Sequence, residues 1–172
     1  MRRYFYLIST AVIFSCSLVL HIAYQASGGA AWSILVSSVN GSPWELVKPF
    51  VFVYIIWFFV ELSYLRPNLL HFTCSKILSL HLFIALSLIL LCTVRSFWRI
   101  EYLSFGVIFF SLIISEYISY LIYHNKRRIE FFCIPIFISL GGLLTCILFF
   151  SVYPPKLPIF FDAVLEGYGY RL

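Results

Sequence analysis

Charge is what this sequence has least of. Asp, Glu, Lys and Arg make up 11% of its 172 residues, against about 25% in soluble domains. That scarcity excludes a disordered chain, which needs high charge and few apolar residues. The loops that carry common chemistries are missing too. There is no GxGxxG or P-loop spelling for a nucleotide. There is no GxSxG elbow and no Ser-x-x-Lys pair for a nucleophilic serine. No acidic pair is placed for glycoside chemistry. The basic–aromatic interleaving of nucleic-acid binders is absent, so no nucleic-acid partner is expected. The five cysteines, Cys16, Cys74, Cys92, Cys133 and Cys146, form no CxxC and no Cys–His zinc spacing. All five read as small apolar packing residues, and no metal or cofactor is expected.

What remains is apolar. The chain is 62% hydrophobic and 20% aromatic, with a mean hydropathy of +0.98. A soluble fold of this size cannot hide that much apolar surface. Five runs, 4–26, 44–65, 76–94, 101–123 and 130–152, are long enough to cross a hydrocarbon core of about 30 Å, which takes roughly 20 helical residues. Backbone groups in lipid must be satisfied within the segment, so these runs are helices. Their continuity excludes the alternating pattern of an outer-membrane barrel. The prediction is an all-α polytopic membrane protein. It is one integral domain over 1–172, a bundle of five transmembrane helices lying in a cell membrane. Arg2 and Arg3 ahead of the first run suggest a signal peptide, but the run is longer than a usual signal core and reads as a retained helix.

Placement of Lys and Arg sets an orientation. With the N-terminus inside, the cytoplasmic side holds Arg2, Arg3, Arg66, Lys76, Lys126, Arg127 and Arg128. The other side holds Lys48, Arg95, Arg99, Lys156 and Arg171. The bias, and the compact Lys126-Arg127-Arg128 cluster, predict N-in and C-out. The 27–43 connection holds no Lys or Arg. Its apolar stretch 30–39 is too short to span and suits the interface. Pro154, Pro155 and Pro158 stop the last helix and extend the tail 153–172. Phe160 and Phe161 in that tail need an apolar surface, so the tail folds back on the bundle. Ser104, Ser111, Ser115 and Ser119 share a helix face, as do Ser139, Gly142 and Cys146. Such faces let helices approach closely in lipid, and the plainer reading is packing inside one bundle rather than an oligomer interface.

Two groups of residues can carry function. The first lies at the predicted exterior. Ser42 and Glu45 have capping-box spacing, Pro43 stands at the first helical position, and Lys48 is one turn from Glu45. His21 and Tyr24 lie one turn apart near the end of the first helix. With Asn40, Trp44 and Asp162 of the tail these make an exterior polar site: His21, Asn40, Trp44, Glu45, Lys48 and Asp162. Asp162 can reach Lys48, Arg95 or Arg99. The plainer reading is a well-capped helix with Trp44 as an interfacial anchor, a local Glu45–Lys48 ion pair and a tail latch.

The pattern His21-x-x-Tyr24-x-x-Ser27, Val39-Asn40-Gly41-Ser42-x-Trp44-Glu45-x-x-Lys48, Pro154-Pro155-x-x-Pro158-x-Phe160-x-Asp162 and Tyr168-Gly169 spans nearly the whole chain in order. It resembles an uncharacterised family of small bacterial multi-pass membrane proteins, a domain of unknown function. Its hallmark reads Asn-Glu-Ser-x-Trp-Glu-His-x-Lys. Gly41 stands where that motif has Glu, and Leu46 where it has His. The resemblance implies an architecture and a bacterial setting, and no activity.

The second group is intramembrane: Glu61, His81 and Glu116 sit in apolar runs at similar depth, toward the inner ends of their helices. Charges there are costly and point to function. A carboxylate–His–carboxylate group can relay protons or hold a metal. The plainer readings are that Glu61 snorkels to water and that Glu116 bonds Ser119 or Tyr120. The leading expectation is a non-enzymatic accessory or binding protein, its partners the lipid bilayer and a membrane protein or lipid head group at the exterior site. The alternatives are a small proton-coupled transporter using Glu61, His81 and Glu116, and an intramembrane enzyme on a lipid-linked substrate with Glu45 or Asp162 as acid–base group.

Overall fold

A computed structural model describes residues 4–65, 67–97, 101–125, 132–162 and 166–168. Arg2, Arg3, Arg66, Arg99, Lys126, Arg127, Arg128, Glu130, Gly169 and Arg171, on which parts of the sequence reading rest, lie outside the described residues.

Helix α1 (Phe5–His21) breaks at Ile22 and continues as the single turn α2 (Ala23–Ala26). The short α3 (Ala31–Val36) follows, then α4 (Pro43–Leu65), α5 (Leu69–Phe97), α6 (Glu101–His124) and α7 (Cys133–Val152). Five helices are long and apolar enough to cross a membrane: α1 with α2, α4, α5, α6 and α7. This is the architecture of a multi-pass membrane protein.

Helix bounds and the tail differ from the sequence reading. The third long helix begins at Leu69 rather than at 76, about two turns earlier. His71, Thr73 and Ser75 look like a polar connection in sequence and Lys76 like the helix start, yet here Thr73, Ser75 and Lys76 are buried inside the helix. The fifth begins at Cys133 rather than at 130. The tail is not wholly irregular: a 3-10 turn, Pro158–Phe160, leads into a two-residue antiparallel pair, β1 (Phe161–Asp162) with β2 (Gly167–Tyr168). The bundle is helical, and this small ribbon is the exception.

α5 and α6 form the most extensive helix pair, α1 rests on α4 and α6, and α4 also packs on α5. Their shared core holds Ile13, Phe50, Phe83, Leu91, Ile108 and Leu112, each fully buried. The serine face of α6 is buried, with Ser104, Ser111, Ser115 and Ser119 turned inward. The small face of α7 is the reverse. Ser139, Gly142 and Cys146 are exposed, and a Cβ added at Gly142 would meet nothing within 4 Å. Packing inside the bundle therefore describes α6 and not α7.

The cysteines also depart from expectation. Cys74 and Cys133 are joined as a disulfide, their Cα atoms 5.9 Å apart, within bridging reach. The early start of α5 brings Cys74 into its first turns, facing the start of α7. Cys16, Cys92 and Cys146 are free.

The tail returns to the bundle through one side chain. Phe160 is buried, its ring centroid 5.1 Å from that of Trp44 and 5.4 Å from that of Phe150. Trp44 is thus packed under the tail rather than standing free at an interface.

Candidate functional site

Two polar centres lie at opposite ends of the bundle. The first gathers where α1 ends, α4 begins, α5 ends and the tail returns. Ser42 accepts the Glu45 N–H at 3.4 Å, half of the capping box that the sequence predicts. The other half is rewired. Asn40 Oδ1 takes the Ser42 N–H at 2.9 Å. The Glu45 carboxylate turns instead to the Val39 N–H at 3.0 Å and to Lys48 Nζ at 2.8 Å. Lys48 also donates to Ile34 O at 2.7 Å and Ser151 Oγ at 3.2 Å, so it ties α3 and α7 to α4.

A proline explains the next contact. Pro49 inside α4 has no N–H, so the carbonyl of Glu45 has no helical donor. Ser38 Oγ supplies one at 2.7 Å. The Ser38 hydrogen is then committed, so the 2.7 Å contact between Ser38 Oγ and His21 Nδ1 is donated by His21. Neutral His21 therefore carries its proton on Nδ1, with Nε2 as acceptor. Its ring stands edge-on to Phe105.

Gly41 is held on both sides of its backbone. Asp162 Oδ2 accepts the Gly41 N–H at 2.7 Å, and the Arg95 guanidinium donates to the Gly41 carbonyl. A Cβ on Gly41 would sit 3.4 Å from both Asp162 carboxylate oxygens. The tail carboxylate thus lies against the 40–42 turn at the distance of an ordinary contact with a Cβ.

These contacts frame a pocket of about 270 Å³. His21, Asn40, Arg95 and Asp162 line it, with Gln25 and Ser38 as further polar walls and Leu46 and Phe105 as apolar ones. Three of the six predicted exterior residues, His21, Asn40 and Asp162, are in its wall. Glu45 and Lys48 are buried away from it, and Trp44 is packed against Phe150 and Phe160 with its indole N–H buried and without a partner. Arg95 joins the site from the end of α5. An arginine in the last turn of a membrane-spanning helix reads as an orientation signal, and its role here comes from the turn it meets.

The second centre lies toward the other end. Lys76 Nζ stands 2.6 Å from Glu61 Oε2 and 2.8 Å from Glu116 Oε2, with all three side chains sealed from the surface. Ser9 donates to Glu61 Oε1 at 2.5 Å and Trp57 Nε1 to the same oxygen at 3.1 Å. Lys76 lies 5.4 Å from the centre of the Tyr54 ring and 5.9 Å from that of Phe72. Four helices, α1, α4, α5 and α6, meet here. Glu61 and Glu116 are brought together, but His81 does not join them. Its Nδ1 lies 2.8 Å from Ile77 O on its own helix. Glu61 does not snorkel, and Glu116 bonds Lys76 rather than Ser119 or Tyr120. Sequence reasoning missed Lys76 because it stood at the start of the 76–94 run and was counted among the cytoplasmic-side charges. Two carboxylates in apolar helices without a cation were the signal that one was needed.

A family of unknown function, DUF6512, matches residues 1–170. The chain belongs to that family. No curated protein matches it, and no solved structure does. Membership of DUF6512 extends over both polar centres and brings no activity to either. Among the described residues no group of three or more His, Cys, Asp and Glu is placed to hold a metal ion.

Proposed function

We propose that this protein is a multi-pass membrane protein that binds the polar, phosphate-bearing head of a lipid in the Arg95 pocket, at the exterior end of the bundle. The observation that carries this reading is the pocket itself. Five separate stretches of chain converge on it, it mixes charged, amide and apolar walls, and it lies at the level where helices end. An amphiphile needs that combination. Arg95 supplies forked donors for a phosphate. Asp162, His21 Nε2 and Asn40 supply acceptors for hydroxyl or amine hydrogens, and Leu46 and Phe105 suit the first carbons beyond the head.

The proposed orientation is N-in and C-out in a cell membrane. The buried placements of Lys76 and Lys48 remove each from the comparison of the two sides. Arg2, Arg3, Arg66 and the 126–128 cluster still stand against Arg95, Arg99, Lys156 and Arg171, so the positive bias keeps its direction.

Native mass spectrometry of the protein extracted gently from its own membrane tests the binding. The expected spectrum shows a retained mass matching a phospholipid. Arg95→Gln removes charged hydrogen bonds of about 1.5–3 kcal/mol, so retention falls about 10- to 100-fold. A bare monomer in the wild type, or undiminished retention in Arg95→Gln, defeats the reading.

A further inference from the structure

The ion cluster around Lys76 has unequal charge. It holds two carboxylates and one ammonium, each sealed from the surface. Lys76 is the one cation that the described residues bring into ion-pair reach of either Glu61 or Glu116. The groups facing the cluster are Ser9 from α1, Tyr54 and Trp57 from α4, and Ser79 from α5, all of them uncharged. His81 is turned to its own helix. With every group ionised the cluster carries one net negative charge in a membrane-spanning layer. An unmatched buried charge there is among the costliest features a chain can hold. A tie between helices needs only one carboxylate and one ammonium, so the second carboxylate calls for a use.

The hydrogen bonds around Tyr54 say where a proton fits. Ser79 gives its hydrogen to Ser115 O at 2.5 Å, and a carbonyl can only accept. The 3.0 Å contact between Tyr54 and Ser79 is therefore donated by Tyr54. The Tyr54 hydrogen is then committed, and its oxygen is left as an acceptor. Glu116 faces the same side of the cluster, since Lys76, 5.4 Å from the centre of the Tyr54 ring, donates to both Glu116 oxygens, at 3.0 and 2.8 Å. A protonated Glu116 would find an acceptor in the Tyr54 oxygen on that side. One turn along α6, the Ser119 hydroxyl is buried with no partner. Glu61 is built differently: its Oε1 accepts the Trp57 hydrogen and shares the Ser9 hydrogen with Phe5 O, 3.0 Å from the same hydroxyl.

We propose that Glu61, Lys76 and Glu116 form a proton-exchanging site, with Glu116 as the group that gains and loses the proton. A hydronium ion gives its proton to a Glu116 carboxylate oxygen, an O–H bond forms and a water molecule leaves. No electron moves. Lys76 stays an ammonium and closes on Glu61, and the reverse step restores both ion pairs. An apolar cleft of about 360 Å³ between α4, α5 and α7 has Lys76 and Tyr54 in its wall. It gives the cluster a side that is free to rearrange.

Infrared spectroscopy of the full chain in lipid vesicles reads the proton directly. In the wild type, the C=O band of a protonated carboxyl grows as the buffer passes from alkaline to mildly acidic, and it shifts on transfer to deuterated buffer. Glu116→Gln abolishes that band. Glu61→Gln abolishes it too, because Lys76 and Glu116 then match and no proton is needed. The absence of the band in the wild type overturns the proposal, since the cluster is then a fixed ion triad. A band that ignores pH overturns it as well, and so does one that survives in Glu116→Gln. Absence of the band in the wild type overturns the proposal even if a variant does not fold.

Discussion

At the Arg95 end, charged side chains serve the backbone. Asp162 and Arg95 hold the two sides of the Gly41 peptide, Glu45 holds the Val39 N–H, and Lys48 holds Ile34 O. At the Lys76 end, the charges serve one another, and one cation stands between two carboxylates from different helices. The first arrangement shapes a turn and leaves a pocket beside it. The second closes a gap between helices and leaves a charge to be neutralised. Backbone groups near a helix end have water as an alternative partner, whereas a carboxylate inside the bundle has none. The two centres therefore differ in what a single deletion costs.

The largest expected effect tests that difference. Lys76→Met leaves two buried carboxylates without a counter-ion, and removing one partner of a buried pair costs about 3–5 kcal/mol. Lys48→Met strands one buried carboxylate rather than two, and Glu45 keeps the Val39 N–H, so its cost stands at the lower end of that range, about 3 kcal/mol. Thermal unfolding of both variants in the same detergent ranks them. Equal losses would break the comparison, because the two lysines would then be equivalent buried cations. The triple variant Lys76→Met, Glu61→Gln, Glu116→Gln sharpens it by recovering most of the loss, as a neutral cluster no longer strands a charge.

That ranking also marks where the sequence was informative. The long apolar runs made the five helices legible, because a bilayer-length stretch has few other readings. The return of the tail was legible from Phe160, which needs apolar cover that an extended proline-rich chain cannot give itself. The start of α5 was not legible. Thr73, Ser75 and Lys76 carry the composition of a connection, and only Glu61 and Glu116 on other helices make Lys76 tolerable inside one. The Cys74–Cys133 bridge was hidden for a related reason. The two residues are 59 positions apart and follow no spacing rule. At the other end the capping signal Ser42-Pro43-Trp44-Glu45 placed the helix start, and the i+3 spacing gave Lys48 as the ion-pair partner of Glu45; the reciprocal capping bond is not made, since Asn40 takes the Ser42 N–H.

A smaller effect is expected from Ser38, and here the proline supplies its own control. Ser38→Ala removes the donor to Glu45 O, and Pro49 offers no N–H to replace it. A buried carbonyl left unpaired costs about 1–3 kcal/mol. In a Pro49→Ala background the helix regains its N–H, so the same serine substitution costs less. A double-mutant cycle on thermal unfolding measures the coupling. Equal costs in both backgrounds would mean that Ser38 stabilises the site through His21 alone and that the proline is incidental.

The smallest effect separates space from backbone at the Arg95 end. Gly41→Ala keeps the N–H that Asp162 accepts and the carbonyl that Arg95 reaches. The added Cβ sits 3.4 Å from the carboxylate oxygens, an ordinary contact, and the change in unfolding free energy is expected to stay within about 0.5 kcal/mol. Asp162→Ala leaves the Gly41 N–H without its acceptor and loosens the tail, which protease cleavage at Lys156 reports. If Gly41→Ala raises cleavage as much as Asp162→Ala does, then the empty space at position 41 holds the tail, and the hydrogen bonds to the peptide follow from it. If cleavage rises only in Asp162→Ala, the charges at this end act through the backbone, and the contrast with Lys76 stands on both sides.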